Sequence, residues 1–468
     1  MKSRLVTGSM DSARRTTVLR LCLFCMTVMA ARAAIQAPPS STIEQRFQVA
    51  LATEDRGDLE GAKRLLIELR RESPGVFAID ESLGLIDVAQ GRIDEALPLL
   101  EAAGREQPAS DAAHANLGGA LFKLHRNNEA LHEFEQAARI NPKSVIAQQS
   151  LGELWLDAGK PDRATEAYAA ALRLKPGDEE LTFSYAAALV AGKRYEEATW
   201  ALTSPATAGQ SALAQSLLGE IDEQKGSFES AAQHLTRAVE LDPSEENMWA
   251  LGVEFLRHWT FEAAVKEFAA GRDRYPSSMR MRFGLGAAYF GNGAYARAIP
   301  EFSELLKSAP DNAMYAQMLG LSCTAVMRES SPQCALLVSY ANAHPQDAEN
   351  ATHAANWLLT DANATQAERL LRTAISRRPD LADAQYGMGV LKQNELDWQG
   401  SVGYLERAVA LKPEDAQAHY HLALAYWRTG RRADGQREME LHRKYASQEK
   451  EQLDQRLRQI TTFVVNYR

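Results

Sequence analysis

Few side chains in this 468-residue chain are spaced to do chemistry. Cys22 and Cys25 have C-x-x-C spacing, but they stand in an apolar leader where that spacing is coincidence, and no Leu-Ala-Gly-Cys lipidation box surrounds either one. Cys323 and Cys334 are the other two cysteines. His419-x-His421 would put two imidazoles on different faces of a helix, so the pair alone is a poor chelate. His114, His125, His132 and His442 are scattered and read as satisfied or solvent-facing. The sequence has no G-x-S-x-G, no phosphate-binding Gly loop and no H-E-x-x-H. These observations predict no catalytic residue, no cofactor site and no metal site. Acids such as Glu133 and Glu135 read as a solvated helix face. Asn350-Ala351-Thr352 and Asn363-Ala364-Thr365 match the glycosylation acceptor, which matters only in a host that uses it.

The elements that must position these residues repeat. Pro74, Pro108, Pro142 and Pro176 follow one another at intervals of 34 residues. The series continues, with slips, at Pro243, Pro276, Pro310, Pro345, Pro379 and Pro413. A fixed period of this size marks stacked units sharing a core. Aligned on these prolines, twelve units start near 43, 77, 111, 145, 179, 212, 245, 279, 313, 348, 382 and 416. Each reads as two helices. In the first, apolar or small residues fall at positions 4, 7, 8 and 11, as in Met248, Leu251, Gly252 and Phe255. A turn residue follows near position 15, as at Gly57, Gly91, Gly159, Gly226, Gly293 and Gly430. The second helix carries Ala at position 20 and a large residue at 24, as in Ala264/Phe268 and Ala298/Phe302. Proline then stops it.

Leu117-Gly118, Ala130, Phe134, Ala137 and Pro142, with Leu218-Gly219, Ala231, Leu235, Ala238 and Pro243, resemble the tetratricopeptide repeat family over residues 43 to about 445. The resemblance implies an all-α fold, a right-handed superhelical solenoid of about twelve helix-turn-helix units over 43–446. Residues 447–468 read as a C-terminal capping helix, with Leu453, Leu457, Ile460 and Phe463 on one face. The resemblance also implies that positions 2, 5, 9 and 12 of the first helix line a concave groove. Position 5 holds Phe47, Phe183, Trp249, Phe283, Tyr386 and Tyr420, many aromatics for a chain with 7% of them. They form the candidate partner-binding groove, or else pack between repeats. Position 9 holds Gly119, Glu153 and Glu220 where chaperone-docking relatives want Asn, which disfavours a chaperone-tail receptor. Cys323 and Cys334 fall where the two helices of one unit face each other, so they either form a disulfide or remain two buried thiols.

Residues 1–33 read as a secretory signal peptide, with a basic start, an apolar run from Leu21 to Ala31 and Ala31-Arg32-Ala33 for cleavage. An uncleaved anchor is the lesser alternative, because the apolar run is short. Residues 34–42 are a linker. Loss of the leader's six basic residues and one acid takes the net charge from −9 to −14, which excludes a nucleic-acid partner. The chain is therefore expected to be exported, periplasmic or extracellular, with no membrane span after cleavage and an open oligomeric state. Its expected function is a scaffold binding a protein or peptide in the groove. The alternative is a structural or assembly factor of the cell envelope acting through its convex face or C-terminal helix, and a regulatory subunit of an enzyme is the remote one.

Overall fold

The computed structural model of the protein describes residues 43–203, 211–326, 331–360 and 363–467. The expected signal peptide over 1–33 and linker over 34–42 lie outside the described residues. The chain divides into two compact units, one ending at Ile221 and one beginning at Asp222. All regular elements among the described residues are helical.

The first unit holds α1 (Ile43–Asp55), α2 (Leu59–Glu72), α3 (Phe77–Ala89), α4 (Ile93–Glu106), α5 (Asp111–Lys123), α6 (Asn127–Ile140), α7 (Val145–Asp157), α8 (Pro161–Leu174), α9 (Glu179–Ala191) and α10 (Tyr195–Thr203). The boundary falls within α11 (Ala212–Lys225). The second unit continues with α12 (Phe228–Leu241), α13 (Glu245–Arg257), α14 (Phe261–Arg274), α15 (Met279–Gly291), α16 (Tyr295–Ser308), α17 (Ala313–Ala325) and α18 (Ala335–Ala343). It ends with α19 (Ala348–Thr360), α20 (Ala364–Arg377), α21 (Ala382–Asn394), α22 (Trp398–Leu411), α23 (Ala416–Arg428) and α24 (Arg432–Tyr467). A 13-residue helix such as α5 or α7 alternates with a 14-residue helix such as α6 or α8, so two helices and two short turns fill the 34-residue period.

The closing prolines mark both an ending and a beginning. Two residues after each of several prolines stands the N-cap of the next odd-numbered helix. Ser110 Oγ accepts from the Ala113 amide (3.2 Å), Asp178 Oδ1 from Leu181 (2.9 Å), Ser278 Oγ from Met281 (3.1 Å) and Asp415 Oδ1 from Ala418 (3.0 Å). The turn inside each pair needs a left-handed residue. The six expected glycines all have φ between 66° and 86°. His125, Lys193, Trp259 and Leu396 hold the same place with φ of 57–63° and no glycine.

In the second unit one apolar core runs from Ala232 on α12 to Leu391 on α21. One buried charge of the first unit is doubly paired. Asp87, 1% exposed, receives Lys63 Nζ at 2.5 Å and Arg92 Nε at 3.0 Å. Cys323 on α17 and Cys334, in a 3-10 turn (Pro332–Cys334) leading into α18, are joined by a disulfide. Of the two glycosylation matches, Asn350 is buried and donates to Asp347 Oδ2 (2.8 Å), while Asn363 is exposed as the N-cap of α20.

The terminal helix expected to begin near 448 is continuous with the second helix of the last pair. No Pro or Gly follows Gly435, so nothing in the chain ends α24 before Tyr467. Its early turns pack on α23, where His442 Nδ1 lies 2.8 Å from the Ala416 carbonyl. None of the described helices is long and apolar enough to cross a membrane.

Candidate functional site

Three successive odd-numbered helices of the second unit start side by side and leave a cleft between their first turns. It is lined by Glu245 of α13, by Ser278, Met279, Arg280 and Phe283 of α15 and its cap, and by Met314 and Tyr315 of α17. Its volume is about 460 Å³ and it is open to solvent. Met279 is 48% exposed and Met314 56% exposed, so two flexible thioethers face outward over aromatic walls. The Phe283 ring stands 6.0 Å from Tyr315 and meets the buried Phe302 edge-on at 5.9 Å. Phe283 therefore has one side rooted in the core and another in the cleft.

The polar rim is tightly bound to itself. Arg280 Nε donates to Glu245 Oε1 (2.5 Å), and its Nη1 pairs with Glu246. Ser278 Oγ donates to Glu245 Oε1 at 2.6 Å. Burial works against the guanidinium charge, but Glu246 and Glu245 outweigh it and raise its pKa. Burial likewise pushes the Glu245 carboxyl up, and Ser278 and Arg280 outweigh that to hold it low. The fixed guanidinium lies 6.0 Å from the Trp249 ring, which itself stands 5.5 Å from the buried Phe268.

Of the six aromatics singled out, Phe283 lines the cleft and Trp249 stands beside its rim residue Arg280. Tyr386 and Tyr420 converge elsewhere, both against His421, at 5.5 and 5.4 Å. Phe47 and Phe183 are half-buried against separate apolar clusters of the first unit and join neither group. None of the six is fully buried, and Tyr420 is 36% exposed. Met279, Arg280, Met314 and Tyr315 escaped the reading at position 5. Glu246, Arg280 and Met314 share position 2 of successive units, so the second groove position carried the signal.

His419 and His421 do not converge. His419 Nδ1 lies 2.6 Å from Glu438 Oε2 and its Nε2 2.9 Å from the Pro413 carbonyl, while His421 Nδ1 meets Gln393 Oε1 at 2.7 Å. A histidine not singled out from the sequence does converge with acids. His258 Nε2, just past the end of α13, lies 3.0 Å from Glu223 Oε2 and 3.3 Å from Glu254 Oε1. Burial pushes this imidazole down, but the hydrogen bond to Glu223 and the nearby Glu254 carboxylate outweigh it and raise its pKa to about 9. Glu254 is held up chiefly by burial, and Glu223 is held low chiefly by its bond to His258.

Tetratricopeptide repeat models match residues 50–111, 150–211, 250–313 and 391–434, with two further models of that description matching 87–153 and 212–245. Among solved structures, a tetratricopeptide repeat protein from Parabacteroides merdae ATCC 43184 is similar over 53% of this chain and 98% of its own, at 16% identity and a TM-score of 0.42. The Naa15/Naa10 structure bound to HypK-THB is similar over 85% of this chain and 68% of its own, at 17% identity and a TM-score of 0.35. YrrB, a TPR protein with an unusual peptide-binding site, covers 40% of this chain and 97% of its own, at 19% identity and a TM-score of 0.36. No curated protein matches the chain.

Proposed function

The chain belongs to the tetratricopeptide repeat family, and from that premise we propose that it is a non-enzymatic, exported scaffold holding a protein or peptide partner in the cleft of α13, α15 and α17. The observation that carries this reading is the pairing of exposed Met279 and Met314 with rigid Phe283 and Tyr315 around one open volume. An apolar side chain of a partner would enter between the methionines and rest on the two rings. Arg280 is held by two glutamates, so the rim keeps a net negative charge and favours a partner with a basic residue beside its apolar anchor. Export is supported by the Cys323–Cys334 disulfide, a bond that persists in oxidising compartments.

Selection of a displayed random-peptide library tests the reading. The intact protein should enrich peptides with an apolar anchor, and the Trp249→Ala/Phe283→Ala double variant should lose them while keeping its helical circular dichroism. Enrichment of the same peptides by the double variant would remove the cleft from consideration. The 36 residues of α24 favour a second reading, assembly of the cell envelope through this helix. Deleting 447–468 while leaving peptide selection intact, and losing assembly, would support that second role.

A further inference from the structure

The convergence of Glu223, Glu254 and His258 has no part in the cleft. Glu223 stands in the last turn of α11, on the second-unit side of the boundary. Glu254 and His258 lie four residues apart, so both project from the same side of α13 and its end. One atom from each can be chosen so that all three lie within 4.8 Å of one another. We propose that these three side chains form a binding site for a single first-row divalent cation of the zinc class, tying the end of α11 to the end of α13.

The geometry supports this in three ways. First, Glu254 is 2% exposed, and its Oε1 is sealed from solvent without a hydrogen bond. The imidazole Nε2 carries at most one proton, and Glu223 Oε2 at 3.0 Å receives it. Glu254 Oε1, at 3.3 Å, is left with an ion-pair contact only. A cation between the three donors would satisfy them all at once.

Second, the spacing suits such an ion. Metal–ligand bonds of ~2.0–2.1 Å in a tetrahedron place neighbouring donors about 3.3–3.4 Å apart. The two edges from His258 to the carboxylates, 3.0 and 3.3 Å, need only slight opening. Three protein donors leave one position for water or a partner's side chain.

Third, the outer oxygens are already held. Arg257 Nη1 lies 3.7 Å from Glu223 Oε1 and 3.8 Å from Glu254 Oε2, the two oxygens that do not face His258. The guanidinium thus turns the inner oxygens toward the imidazole, an outer-shell arrangement common at metal sites. The Phe228 ring, 4.0 Å from His258, fixes the plane of the imidazole. One imidazole with two carboxylates selects zinc over magnesium or calcium, which prefer oxygen-only cages.

The test is calorimetric titration of the chelator-stripped full chain with Zn²⁺ at pH 8, with Mg²⁺ in parallel. One equivalent of Zn²⁺ should bind and raise Tm, and Mg²⁺ should not bind. Glu254→Gln, nearly equal in shape, should weaken Zn²⁺ binding by ~100-fold or more, at least the loss seen for outer-shell changes. Glu223→Gln, at the more open ligand, should do the same and serves if the first variant loses its helical signal. His419→Gln should leave binding unchanged. Absence of stoichiometric Zn²⁺ binding, or equal binding by both glutamine variants, would overturn the proposal and leave an imidazolium ion-paired to two glutamates.

Discussion

Phe268 lies directly over Gly252: a Cβ at that glycine would stand 2.5 Å from the ring's Cζ. The ring is fully buried and carries Trp249 of the candidate groove at 5.5 Å. The same relation recurs through the chain. Phe134 covers Gly118, Tyr168 covers Gly152 and Phe302 covers Gly286. Where the glycine is replaced, by Ala50, Ala186 or Ala355, the residue sixteen places on is Leu66, Leu202 or Leu371 and never an aromatic. An aromatic at this place thus occurs only opposite a glycine, although other glycines, Gly84 and Gly389, face Leu100 and Leu405.

Gly252→Ala should therefore destabilise the second unit by about 1–3 kcal/mol, the cost of overfilling a packed interior. Gly403→Ala in α22, where an added Cβ meets nothing within 4 Å, should instead stabilise, by about 0.5–1 kcal/mol from helix propensity. Urea denaturation of both variants checks the pair. Equal shifts of the same sign would show that the ring over Gly252 yields freely.

The repeat was legible because its devices are local. Proline, the left-handed turn residue and the small residue at position 8 each leave a fixed mark in sequence. The candidate cleft was half legible. Trp249 and Phe283 were found because aromatics stand out in a chain with few of them. Met279, Arg280 and Met314 were missed because a methionine or arginine at a helix start looks like any surface residue. Glu223 and His258 are 35 residues apart, about one repeat period, so only the stacking of successive units brings them together. The unbroken α24 was missed because an amphipathic pattern was read as a separate element, although no breaker divides it.

The left-handed turn makes a second prediction. Leu396 holds φ of 63° with a side chain 74% exposed, so it carries backbone strain with little burial in return. Leu396→Gly should raise stability by about 1 kcal/mol, since a non-glycine residue in this region costs ~1–2 kcal/mol. Gly430→Leu at the equivalent turn, φ of 86°, should lower stability by a similar or larger amount. Thermal melts of the two single variants decide it, and a loss of stability in Leu396→Gly would contradict the reading.

The disulfide between Cys323 and Cys334 closes a separation of eleven residues. By the loop-entropy relation it contributes ~3 kcal/mol. It also pins the turn that leads into α18, a helix of only nine residues. Cys323→Ser/Cys334→Ser should lower the denaturation midpoint by that order, and reductant should shift the native protein but not the double variant. A variant as stable as the native protein under oxidising conditions would show the bond to be dispensable.

Glu153 on α7 supplies a pH-dependent prediction. Burial, with smaller contributions from Asp157 and Glu180, raises its carboxyl from 4.5 to about 7. The native state therefore binds a proton here more tightly than the unfolded state does. Stability falls as pH rises from about 4.5 to about 7, and the full penalty is present above that window. A shift of this size corresponds to ~3 kcal/mol at most. Glu153→Gln removes the ionisable group but keeps its shape. The variant should match the native protein near pH 4.5 and exceed it in Tm at pH 8. Melts of both proteins at the two pH values measure the difference. A difference that does not grow with pH would mean that Glu153 is solvated well enough to ionise normally.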